Sequence, residues 1–233
     1  MQAIARKELR EYRRSGSIVW TMAIIPLIFT VVPLINVFAL RGGAARVISR
    51  ENLLIYMLAI PALVPAVVAA YAIVGERVQG TLEPVLTTPI GRRELLAGKA
   101  AAAAVPSLIV SYGVYAVAVV CIELFANPQV ASALVRGEEV IAQVIFTPLI
   151  AGWSIWLGIA ISTRASEIRV AQQLGMLASV PTVVVTSLIA YNVIQATLPL
   201  ALAFGVGLLV ANRLAWRLVA LIVDRERLII GTR

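Results

Sequence analysis

Residues 52–75 read NLLIYMLAIPALVPAVVAAYAIVG, a run without a single charge. At about 1.5 Å per residue such a helix rises about 36 Å, enough to cross the roughly 30 Å hydrocarbon core of a bilayer. Backbone amides find no water in hydrocarbon, so a segment that crosses there must be helical. The pattern recurs on both sides. Apolar stretches of spanning length occupy residues 17–40, 100–122, 140–163, 170–191 and 193–212, and nearly every charge falls between them. The expectation is an all-α integral membrane protein with six transmembrane helices.

Composition points the same way: 61% of the 233 residues are hydrophobic and 14% charged, outside the range of an ordinary soluble domain. Residues 17–212 form one membrane domain, and its longest inter-helix gap is the loop 76–99. Cys121 is the single cysteine, so no internal disulfide is possible. The amino-terminal charged region runs to Arg14, and the apolar stretch after it is too long for a cleavable signal.

Basic residues set the orientation. Arg6, Lys7, Arg10, Arg13 and Arg14, then Arg77, Arg92, Arg93 and Lys99, then Arg164 and Arg169, then Arg213, Arg217, Arg225, Arg227 and Arg233 all fall on one side; they are 16 of the 20. Arg41, Arg46, Arg50 and Arg136 fall on the other. A Lys/Arg excess in short loops marks the cytoplasmic side, so both termini are expected there, in a multi-pass protein of the plasma (inner) membrane. The net charge of +8 then reflects topology and attraction to lipid headgroups, not nucleic-acid binding.

Residues 1–16 read as an interfacial helix. Projected at about 100° per residue, Met1, Ile4, Ala5, Leu9 and Tyr12 share one side and the five basic residues the other, before Ser15-Gly16 breaks the helix. The plain alternative is a positively charged flank that only orients the first span. Residues 213–233 look like a second amphipathic segment, a cytoplasmic tail with Leu214, Trp216, Leu218, Leu221 and Ile222 among arginines.

The 76–99 loop is the most specific stretch. Gly80-Thr81 reads as a turn and an N-cap, Glu83 suits a first helical turn, Thr87-Thr88-Pro89 stops the helix, and Gly91 marks a second break. Leu82, Val85 and Leu86 would then form an apolar ridge, either a docking surface or a face packed back on the protein's own helix ends. The run Glu-Arg-x-x-Gly-Thr-Leu-Glu-x-x-Leu-x-Thr-Pro-Ile-x-Arg-x-Glu-Leu-x-x-Gly-Lys, from Glu76 to Lys99, resembles the loop of ABC-2 type transporter permeases. Lys7-Glu8-Leu9-Arg10-Glu11 resembles that family's elbow helix, and Asp224-Arg225-Glu226-Arg227-Leu228 its closing run.

The resemblance implies the permease subunit of an ATP-driven ABC transporter, with a cytoplasmic coupling helix seated on a separate ABC ATPase. Two ATPase copies and a second permease, identical or a sister chain, would complete the assembly. By this carry-over the coupling segment holds Glu76, Gly80, Thr81, Leu82, Glu83, Val85, Leu86, Pro89 and Ile90. Arg164, Glu167 and Arg169 would make a second cytoplasmic contact, and Arg6, Lys7, Arg10 and Tyr12 would belong to the elbow. Pro84, inside the expected helix, departs from the pattern and would move its start by a residue or two.

Several chemistries find no residues here. No Gly-x-x-x-x-Gly-Lys-Ser/Thr loop is present, so ATP and Mg2+ belong on the partner and this chain is expected to bind no cofactor or metal. There is no histidine, no Gly-x-Ser-x-Gly and no Cys-x-x-Cys, which argues against an enzyme. The spans also lack mid-membrane ionisable groups, with Glu123 at an outer end, which disfavours the alternatives of an ion-coupled carrier or channel. A scaffold that docks a cytosolic partner is a further alternative. The spans' polar side chains are mild, and Asn36, Ser107, Ser111, Thr147, Ser154, Thr182 and Thr186 are the candidate substrate path. A path without fixed charge suits export of a hydrophobic or amphipathic substrate; the direction comes from the resemblance alone. Small residues at Ala100–Ala104, Gly152 and Gly158 allow close helix approach and are candidates for the seam between subunits.

Overall fold

The computed structural model describes residues 12, 16–39, 52–80 and 91–222. Arg6, Lys7, Arg10, the segment 81–90 that holds most of the expected coupling helix, the Asn36 side chain and the tail beyond 222 lie outside the described residues. The chain is all-helical where described. Helix α1 spans Gly16–Ala39; a 3-10 segment, Leu53–Leu58, leads into α2, Ala59–Val78. Then follow α3 (Arg92–Phe125), the short α4 (Pro128–Leu134), α5 (Gly137–Arg164), α6 (Ile168–Ala190) and α7 (Leu198–Ile222). Among the described residues, α2, α3, α5, α6 and α7 are long and apolar enough to cross a membrane, and α1 carries an apolar run over Met22–Val31.

Helix α2 is the axis of the bundle. Its most apolar window is 94% buried inside the protein, against 6% for that of α7 at the periphery. Its small side chains make this possible. A Cβ added at Gly158 of α5 would lie 2.6 Å from the Ala66 carbonyl oxygen, and one at Gly175 of α6 would lie 3.1 Å from the same atom. Gly152 similarly faces the Asn212 side chain of α7. Ala102 and Ala103 are fully buried. Of the small residues expected at a subunit seam, Gly152, Gly158, Ala102 and Ala103 are thus packed within the chain.

Interhelical contacts define two ends. At one, Glu76 pairs with Lys99 and Arg77 reaches residues 163–165. At the other, Asn52 and Arg136 meet each other and the Asn52 amide bonds Ala190. Between them one proline-freed carbonyl finds a partner. Pro148 has no N–H for the Val144 carbonyl one turn back, and the Tyr112 hydroxyl of α3 donates to it at 2.9 Å. Tyr112→Phe is expected to cost about 1 kcal/mol in equilibrium unfolding, and nothing further in a Pro148→Ala background, where the backbone supplies its own donor.

Helix ends differ from the sequence boundaries where charge or turn chemistry decides. α2 runs to Val78 and α3 starts at Arg92, so only 79–91 separates them. Gly80 ends α2 at φ +69°, the left-handed conformation that favours glycine, as the turn at Gly80-Thr81 anticipated. The last helix differs most. Residues 191–197 form a turn and connection with Asn192 at φ 54°, Pro199 falls in the first turn of α7, and the helix absorbs Arg213 and Arg217 before Ile222. The short α4 was not anticipated; Asn127 caps it by accepting from the Gln129 amide at 3.1 Å, with Pro128 in its first turn.

Candidate functional site

The last two turns of α2 carry an unusual density of side-chain contacts. Glu76 and Lys99 are 2% and 1% exposed and form an ion pair of 2.8 Å. Lys99 Nζ also donates to the Ala72 carbonyl at 2.5 Å. Two charges leave water only when geometry compensates them, and here one carboxylate and one carbonyl share the ammonium. The pair joins the end of α2 to the second turn of α3, the two feet of the 81–90 segment.

Arg77, one residue on, reaches the other way. Its Nη1 donates to the Ala165 carbonyl at 3.0 Å and its Nη2 to Thr163 at 3.1 Å, capping the carboxyl end of α5, where orphan carbonyls and the helix dipole both favour a cation. Ser162 Oγ accepts from the Ile73 and Val74 amides, 2.9 Å each, and locks the same two helices a turn deeper. Tyr71 lies back over Gly75, where a Cβ would come within 2.6 Å of its ring, and its hydroxyl accepts from Gln79. Tyr12, 3% exposed, packs edge-on against Tyr71 with ring centroids 6.2 Å apart.

One end of the bundle therefore gathers Tyr12 of the expected elbow, Glu76 and Gly80 of the expected coupling stretch, and the loop with Arg164, Glu167 and Arg169, whose side chains are exposed. Arg77, Lys99 and Ser162 were not singled out as site residues by sequence; Lys99 closes the loop motif, and that position was the available signal.

The candidate path residues lie inside the chain. Ser107, Ser111, Thr147, Ser154, Thr182 and Thr186 are all buried. Ser111 Oγ donates to the Ser107 carbonyl and Thr186 Oγ1 to Thr182 and Val183, within their own helices. Ser107, Thr147 and Ser154 have no side-chain partner among the described residues. Glu123 is exposed.

The fold defines a multi-pass helical membrane protein organised around one buried helix. A family model described as ABC-2 family transporter protein matches residues 2–215, nearly the whole chain, and the protein belongs to that family. Its members are membrane subunits, generally non-catalytic, that work with an ABC ATPase. No curated protein matches the sequence.

Proposed function

We propose that this chain is the permease subunit of an ATP-driven transporter: six spans, α1 being the first, with both termini cytoplasmic in the plasma (inner) membrane. Two permeases, identical or sister chains, face each other above two ATPase subunits, which hold the ATP and Mg2+. The exported substrate is hydrophobic or amphipathic. Residues 81–90 dock on the ATPase through Leu82, Val85 and Leu86, with Arg164, Glu167 and Arg169 as a second contact.

The observation that carries this reading is the frame around 81–90. Its feet are tied by the buried Glu76–Lys99 pair, and Arg77 ties the first foot to the second loop. A displacement of the docking segment would therefore move α2, α3 and α5 together rather than bend a loop. The buried polar residues Ser107, Ser111, Thr147, Ser154, Thr182 and Thr186 would meet substrate only after the helices part.

Leu86→Arg places a charge on the proposed docking ridge. Tagged protein pulled from its host in mild detergent should carry a phosphate-loop ATPase, found by mass spectrometry, and the variant should lose it. Retention of the ATPase by the variant would refute the coupling assignment. Recovery of a folded protein with no ATPase would favour the ion-coupled carrier, which the buried Glu139 (3% exposed) makes the stronger rival.

A further inference from the structure

Helix α7 carries two arginines whose depth is set by its packing on α5. Phe204 meets Phe146 with ring centroids 5.5 Å apart, and Trp216 stands edge-on to Trp156 at 5.0 Å. Between them Asn212 lies over Gly152 and donates to the Leu149 carbonyl at 2.9 Å. These pairs advance along both chains together, so the two helices run parallel. Arg213 then stands at about the level of Trp153, and Arg217 at about that of Leu157. Helix α5 has Glu138 and Glu139 in its first turn and the exposed Arg164 at its end. At about 1.5 Å per residue, Arg217 lies about 10 Å and Arg213 about 16 Å short of the Arg164 level. With a hydrocarbon core of roughly 30 Å centred on α5, Arg213 falls within a turn of the midplane.

Both arginines are exposed, and among the described residues neither has an ion pair. The apolar surface resumes beyond them: Leu218, Leu221 and Ile222 are 57%, 75% and 36% exposed. Arg217 is therefore not the water-side edge of the helix. Helical side chains lean toward the N-terminus, here away from the nearer charged end at Arg164, so neither stem is aimed at that surface. Spaced by four, the two guanidiniums are neighbours on one face and repel each other.

Charges at that depth call for a counter-charge. Of the 12 acidic residues, those in the long described helices are Glu76, Glu94, Glu123, Glu138 and Glu139, each in a first or last turn. The described helices of a second copy would therefore bring no carboxylate to this level. Acyl chains alone leave both guanidiniums unmet. A phosphate meets them, because the arginine fork pairs with it bidentately and one phosphate between two forks offsets their repulsion. Leu209, Val210, Leu214 and Leu218 are exposed around the pair and give acyl chains an apolar surface. A headgroup with its own ammonium brings a competing cation, so two arginines favour a net negative lipid.

We propose that Arg213 and Arg217 form a binding site for an anionic phospholipid, its phosphate held between the two guanidiniums and its chains laid along the leucines of α7. The site does not rest on the transport reading, and its test needs no ATPase. Native mass spectrometry of the full chain, released from nanodiscs of equal phosphatidylglycerol and phosphatidylcholine, reads the lipid that stays bound. The wild type should retain phosphatidylglycerol several-fold over phosphatidylcholine. Arg213→Gln/Arg217→Gln should lose that preference, whereas Arg93→Gln, exposed at the start of α3, should keep it. Arg213→Lys/Arg217→Lys preserves both charges and should also keep it, which separates loss of charge from loss of fold. An undiminished preference in the glutamine variant would overturn the proposal, as would its loss in the lysine variant. A wild type without any preference would refute it too, leaving the arginines to water. So would a glutamine variant that loses a dimer mass while keeping its lipid, since the face would then be a contact between copies.

Discussion

Lys99→Met is expected to destabilise the protein by about 3–5 kcal/mol, the usual cost of removing one partner of a buried ion pair. The methylene stem is kept, so packing changes little; what is lost is the ammonium that meets Glu76 and the Ala72 carbonyl. The Glu76 carboxylate, 2% exposed, then loses the ammonium 2.8 Å away. Adding Glu76→Leu should recover most of the loss, because two apolar side chains remove both desolvation penalties at once. Equilibrium unfolding in mixed micelles reads both variants. If Lys99→Met alone melts like the wild type, the carboxylate is solvated and the clamp does not exist. On the permease reading the double variant separates two roles: its stability returns while ATPase-driven transport stays impaired, since this charge tie between α2 and α3 is gone.

The same pair shows what the sequence could and could not disclose. Apolar length disclosed the helices, because bilayer thickness and backbone hydrogen bonding leave no other solution. Gly80 and Gly91 correctly marked where α2 ends and α3 begins, since one takes a positive φ and the other lies extended ahead of a helix. Glu76 and Lys99 misled, however. An unpaired charge marks the edge of a span, so both read as loop. A partner on the neighbouring helix cancels that rule, and a pairing across a whole loop has no local signature. Glu139 was placed just outside its span for the same reason, although its i+4 spacing with Gln143 and Thr147, all three buried, was legible as a polar stripe along α5. Nor could hydrophobicity rank α2 as central and α7 as peripheral. Lipid is as apolar as a neighbouring helix, so both environments select the same residues.

Gly158 is the second sensitive position. Gly158→Val should cost about 3 kcal/mol or more, at the upper end of overpacking effects, because the space its first carbon needs belongs to backbone. A Cβ there would lie 2.6 Å from the Ala66 carbonyl oxygen, 2.8 Å from Ala69 Cβ and 3.0 Å from the Ala70 amide nitrogen. None of these is the end of a flexible side chain, so α5 must withdraw from α2 along its length. Alanine scanning grades the effect. Gly158→Ala should cost more than Gly175→Ala, whose Cβ would approach Ala66 no closer than 3.1 Å. Gly113→Ala should instead stabilise, by up to about 1 kcal/mol, since open space surrounds it and only helix propensity changes. This change of sign across three glycines, measured by equilibrium unfolding, separates close packing around α2 from a general intolerance of bulk. Equal losses at all three positions would remove the buried axis on which the rest of the fold depends.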